Sequence, residues 1–124
     1  MANVADRRID ATIRRRVRTC RILIKARRRI VACLGTRLST MPAWDMLLDL
    51  YIARHEGRSI TIWSLCLTAD VPASTAHRKI GEMIDGGVLV RGHRGGRVSI
   101  SLSPVYLARI DALLDELAVL GAEL

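Results

Sequence analysis

The stretch "SITIWSLCLTADVPASTAHRKIGEMIDGGVLVRGHRGGRVSISLS", residues 59–103, holds two short helical patterns and a pair of strand patterns in immediate succession. Thr61 can cap a helix in which Ile62, Leu65, Cys66 and Ala69 recur at the helical interval, and Asp70 breaks it. A second helix starts at once, because Pro72 is tolerated in a first turn. Its Ala73, Ala76, Ile80, Met83 and Ile84 face one way, and Gly86 and Gly87 end it. "VLV" (88–90) and "RVSISLS" (97–103) then read as strands, the second alternating Val98, Ile100 and Leu102 with serines. Between them "RGHRGGR" (91–97) predicts a long hairpin loop. Two short helices joined by a three- or four-residue turn and followed by a hairpin predict a winged helix-turn-helix, with the hairpin as the wing.

Upstream, "STMPAWDMLLDLYIARHEG" (39–57) predicts a helix capped by Ser39 or Thr40, with Pro42 and Asp45 in its first turn and Gly57 as its stop. Trp44, Leu47, Leu48 and Tyr51 are expected on its buried face. Residues 4–34 carry Ile9, Ile13, Val17, Cys20, Ile24 and Val31 at helical spacing. Twelve of the 20 Lys and Arg lie within the first 40 residues, against two acids, so this helix is strongly basic. Downstream, Ser103-Pro104 starts a last helix with a heptad seam of Tyr106, Ile110, Leu113, Leu117 and Leu120. Its charges, Arg109 against Asp111, Asp115, Glu116 and Glu123, oppose those of the first helix, which predicts that the two pack together within or between chains. Ile13, Val17 and Ile24 with the seam residues are the expected dimerisation set. The fold class that results is mainly α with a small β-hairpin wing. It is a single domain, 1–124, comprising a basic N-terminal helix (1–38), a winged-helix core (42–102) and a C-terminal dimerisation helix (103–124).

The totals narrow the function. A chain of 124 residues builds one core, and with aromatics at 3% that core must be aliphatic, which favours helices. A net charge of +8 predicts attraction to a polyanion. Cys20, Cys33 and Cys66 form no close pair, so neither a disulfide framework nor a zinc site is suggested. No apolar run approaches a membrane span, and residues 1–10 lack an apolar signal core, so a cytoplasmic protein is expected. There is no nucleophile elbow, paired-histidine zinc motif or phosphate-binding glycine loop, so no catalytic residue, metal or cofactor is expected. Three rivals to sequence-specific DNA binding remain: an architectural DNA coat, a winged-helix protein adaptor and a basic helix lying on anionic lipid.

Over residues 42 to about 120 the chain resembles the multiple-antibiotic-resistance regulator (MarR) family of bacterial transcription factors. The residues that carry the likeness are "SITIWSLCLTADVPASTAHRKIGEMIDGGVLVR", "GGRVSISLS" and the closing helix. The resemblance implies a homodimer with interlocked N- and C-terminal helices and two recognition helices in successive major grooves of a palindromic operator. It also implies a small-molecule or oxidant effector as a further partner. One feature departs from the family: its wing carries Asp, any residue, then Arg, where this chain has Arg94, Gly95 and Gly96, with Arg97 following.

On the side of the second short helix opposite its core face lie Ser74, Thr75, His77, Arg78 and Lys79. Arg78 is the candidate base reader, because a guanidinium bonds guanine O6 and N7 together. Lys79 suits phosphate, while Ser74 and Thr75 could cap the helix or meet the backbone. In the wing, Arg91, His93, Arg94 and Arg97 are expected to meet a narrow groove or a phosphate rail. His77 and His93 would add charge on acidification and strengthen binding to a polyanion. Arg14, Arg15 and Arg16 are candidates for flanking phosphates. Cys20, Cys33 and Cys66 read first as small buried apolar residues, although Cys20, between Arg18 and Arg21, also sits where cations would favour a thiolate and redox sensing.

Overall fold

The computed structural model describes residues 3–124; residues 1 and 2, at the start of the expected 1–38 segment, lie outside the described residues. Helix α1 (Val4–Leu34) takes the span that the apolar spacing predicts. It starts at a capping box in which Asn3 Oδ1 accepts from the Asp6 amide at 2.9 Å and the Asp6 carboxylate accepts from the Asn3 amide. A one-turn helix, α2 (Thr36–Ser39), follows, so the expected N-terminal segment of 1–38 is two helices broken at Gly35. Helix α3 (Pro42–Glu56) has Met41 at its cap, without a side-chain bond. Neither Ser39 nor Thr40 is therefore the cap, and Ser39 has another role. Its hydroxyl donates to the Gly35 carbonyl and its own carbonyl accepts from Arg27, which ties α2 to α1.

The α3 helix is the centre of the molecule. Leu48 and Tyr51 are buried as expected, but so are Met46, Leu50, Ile52 and Ala53, while Trp44 and Leu47 are half-buried. A helix covered on several sides shows no single stripe, which is why its periodicity names only part of its buried surface. Gly57 ends it in the left-handed region at φ 70°, a conformation that costs a side chain about 1 kcal/mol or more and glycine little.

Helices α4 (Ile62–Thr68) and α5 (Ala73–Asp85) are joined by residues 69–72. Thr61 Oγ1 accepts from the Ser64 amide at 3.1 Å, so the predicted cap forms. Leu65, Cys66, Ala69, Ala76, Ile80 and Met83 drop into the core, whereas Ala73 is exposed because Pro72, the cap of α5, holds the first turn outside it.

The hairpin corrects one expectation. Strands β1 (Leu89–Arg94) and β2 (Arg97–Leu102) pair antiparallel along their whole length, with Leu89 opposite Leu102 and Arg94 opposite Arg97. The loop is two residues, Gly95 and Gly96, at φ 58° and 77°; glycine takes positive φ readily at both positions, and so tight a turn lets the strands run on to Arg94 and Arg97. Most of the charged "loop" is strand. A bridge from Ile60 to Ile100, with the Ile100 amide donating to the Ile60 carbonyl at 2.8 Å, fastens the hairpin to the chain before α4.

Helix α6 (Pro104–Gly121) starts at Ser103, whose hydroxyl oxygen accepts from the Tyr106 amide at 3.3 Å. Ile110 and Leu114 are buried in the core of this same chain, so Ile110 is not part of a free seam. Tyr106, Leu113 and Leu117 are half-buried and Leu120 is exposed; on α1, Ile13 is half-buried, and Val17 and Ile24 pack against the core. Helices α1, α3 and α6 thus pack within one chain, in a mainly helical fold with a single two-stranded hairpin among the described residues.

Candidate nucleic-acid interface

Ala76, Ile80 and Met83 anchor α5 through one face, and that burial turns the opposite face outward. Ser74, His77 and Arg78 are exposed there, while Thr75 and Lys79 are half-buried. Neither Ser74 nor Thr75 caps the helix, because Pro72 occupies the cap without a side-chain bond. This removes the capping role from Ser74 and Thr75. Arg78 is 71% exposed and lies 3.9 Å from Glu82, a loose contact one helical turn away, whereas Lys79 Nζ donates to Glu82 at 3.0 Å. That Lys79 bond, with the charges of Lys79 and Arg78, holds the Glu82 carboxyl below its ordinary range. Glu82 therefore tethers Lys79 first and leaves Arg78 the freer cation.

Side chains alternate across a strand pair. By the observed register, Arg91 and His93 share the face of Leu89, Ile100 and Leu102, beyond the point where that face is covered. Arg94 and Arg97 stand directly opposite one another on the other face. Like charges across a strand pair repel, and neither strand contains an acid to relieve them. A charge pattern of this kind is favourable only beside an external anion or in well-solvated surroundings.

Arg16 on α1 behaves differently. Arg16, 24% exposed, grips Asp115 through two bonds of 3.0 and 2.9 Å and lies 3.7 Å from Asp111. The bonded carboxylate raises the Arg16 pKa, and the same bond lowers that of Asp115. Arg16 is thus committed to joining α1 to α6 and is not free for a flanking phosphate. Arg15 is 3.8 Å from Asp115, and Arg14 is exposed. Tyr51 Oη donates to Asp111 at 2.6 Å, which brings α3 into the same network.

Cys20 takes the buried apolar role and not the thiolate one. Its side chain has no exposed surface, its thiol donates to the Leu48 carbonyl at 3.5 Å, and burial pushes its pKa up to about 12 despite Arg21. Burial raises Cys66 as well, while Cys33 is exposed.

Two features escape a reading by periodicity. Arg54 and Arg58, from the end of α3 and the turn after it, line a cleft with Arg94 of the hairpin. The Ile60–Ile100 bridge makes that meeting, and its sequence trace is a single isoleucine between polar residues. A second cleft, of about 550 Å³, lies between α1, α3 and α4, lined by Arg27, Arg28, Asp45 and Asp49 among others. Among the described residues no cluster of three or more His, Cys, Asp or Glu could hold a metal ion, and no helix is long and apolar enough to cross a membrane. Comparison with protein-family models, with curated proteins and with solved structures gives no match, so the reading of this surface rests on its own residues.

Proposed function

We propose that the chain is a sequence-specific double-stranded DNA-binding transcriptional regulator of winged helix-turn-helix type, resembling the MarR family, that acts as a homodimer on a palindromic operator. The observation that carries this reading is the outward face of α5, which presents Ser74, His77 and Arg78 over its first two turns while the opposite face is held by Ala76 and Ile80. Hydrogen-bonding side chains of moderate length followed by a long cation suit a helix entering the major groove N-terminus first. The hairpin adds Arg91, His93, Arg94 and Arg97 as the wing. Exposed Ile9 on α1 and exposed Val119 and Leu120 on α6, beside half-buried Leu113 and Leu117, support a second copy as the partner of these helices. The cleft between α1, α3 and α4 is where a small effector fits this reading.

Selection from random-sequence duplexes, with binding measured across a salt series, tests it. Recovery of a palindrome with half-sites about one helical turn apart, lost in Arg78→Ala, is the expected result. Salt-sensitive binding with no enriched sequence would replace the regulator with an architectural coat. No binding at low salt would remove DNA from the account and leave an adaptor or a lipid-surface role.

A further inference from the structure

We propose that the cleft between the end of α3 and the hairpin is an oxyanion site that takes one phosphate group. It encloses about 240 Å³ and is lined by three cations, Arg54, Arg58 and Arg94, and by three hydroxyls, Ser59, Ser99 and Ser101. The register explains why they converge. Arg94 shares a strand face with Gly92 and Val90, whose partners are Ser99 and Ser101, and the Ile60–Ile100 bridge brings Ser59 to the side of β2 away from β1.

The charge balance points to an anion. Glu56 lies 3.4 Å from Arg58 but is shared with Arg21 at 3.3 Å, so one exposed carboxylate serves two cations. Among the described residues Arg54 and Arg94 have no acid partner, and Arg97 opposite Arg94 adds to the positive potential. Gathering guanidinium groups is unfavourable unless a counter-charge enters, and phosphate matches the fork of a guanidinium with two oxygens while its remaining oxygens accept from hydroxyls. Gly92 keeps the wall open: a Cβ there would lie 3.1 Å from Ser99 Oγ and displace the hydroxyl.

Two sources supply this chemistry, a phosphodiester of a bound duplex and a free phosphorylated ligand, and the first rests on the DNA-binding reading. Two measurements separate them, each made on the full chain after the unfolding midpoint of every variant is shown to match the parent. The first is the slope of log affinity against log salt for a random-sequence duplex. Arg54→Gln and Arg94→Gln are each expected to flatten it by about 0.9, the contribution of one phosphate, and the double variant by the same amount because both cations serve one group. The second is a titration with pyrophosphate, followed through the arginine side-chain resonances of residues 54, 58 and 94. Saturable shifts that vanish in Arg54→Gln, with an unchanged duplex slope, assign the site to a free ligand. If the duplex fails to bind, the DNA reading falls and the pyrophosphate titration alone decides the site. An unchanged slope together with no saturable pyrophosphate shift overturns the proposal.

Discussion

Arg16 and Arg27 of helix α1 and the arginines of the α5–hairpin region are the same chemical group in opposite circumstances. On α1, Arg16 holds Asp115 with two short bonds and Arg27 holds Asp45 at 3.1 Å with side chains only 11% and 17% exposed. In α5 and the hairpin, Arg78 has one loose neighbour at 3.9 Å, and Arg94 faces Arg97. Counting charge would rank the first helix as the chief polyanion-binding element. Pairing removes Arg16 and Arg27 from that count, because a cation already bonded to a carboxylate offers little net attraction to a phosphate and would have to exchange partners to reach one.

Breaking the most enclosed pair should give the largest effect. Asp45→Ala leaves Arg27 largely buried with only the Ser39 carbonyl as partner, and is expected to cost about 2–3 kcal/mol in urea unfolding. Arg78→Ala should show the converse: a loss of about 1–3 kcal/mol of discrimination between operator and non-operator duplex, with an unchanged unfolding midpoint. Gly95→Ala, at φ 58°, should lower stability by about 1 kcal/mol and weaken duplex binding by misplacing the arginines that flank the turn.

Smaller effects sharpen the contrast. Arg97→Gln should reduce the salt slope of duplex binding by about 0.9 without changing stability, whereas Arg16→Gln should leave the slope unchanged and lower stability by about 1 kcal/mol. A flattened slope in Arg16→Gln would show that its ion pair opens on DNA and would erase the distinction. The smallest effect is on pH dependence. Burial lowers the His55 pKa, so the folded chain binds fewer protons there than the unfolded chain, and stability falls as pH drops through the ordinary imidazole value of 6.5. Asp115 is also lowered, by its bond to Arg16. Its contribution is present above the ordinary carboxylate value and fades as pH falls below about 4. His55→Gln should flatten the first decline and Asp115→Asn the second, read from unfolding midpoints against pH.

Legibility followed the range of the interaction. Helix α1, the Thr61 and Ser103 caps, the Gly57 stop and the core face of Ala76, Ile80 and Met83 could be read because each depends on residues within one or two turns. The hairpin was legible in existence and misjudged in extent. Arginine and histidine at 91–94 interrupt the apolar pattern that marks a strand, yet Gly95-Gly96 closes a two-residue turn and cross-strand bonds carry the pairing through them. Of the candidate interface, Ser74, His77 and Arg78 lie on the outward face anticipated for them, while Arg16 and the Cys20 thiol do not play the parts their neighbours in sequence suggested.

Sequence alone determined that this chain is mainly helical, strongly basic and built on an aliphatic core, with two short helices ahead of a hairpin, since composition, periodicity and caps are local properties. Tertiary structure decided which cations remain free. Asp115 lies 99 residues from Arg16, Asp45 lies 18 from Arg27, and Arg54 meets Arg94 only through the bridge from Ile60 to Ile100. An ion pair acts over a few ångströms in space, and no local pattern in the chain encodes which distant acid will stand within that distance.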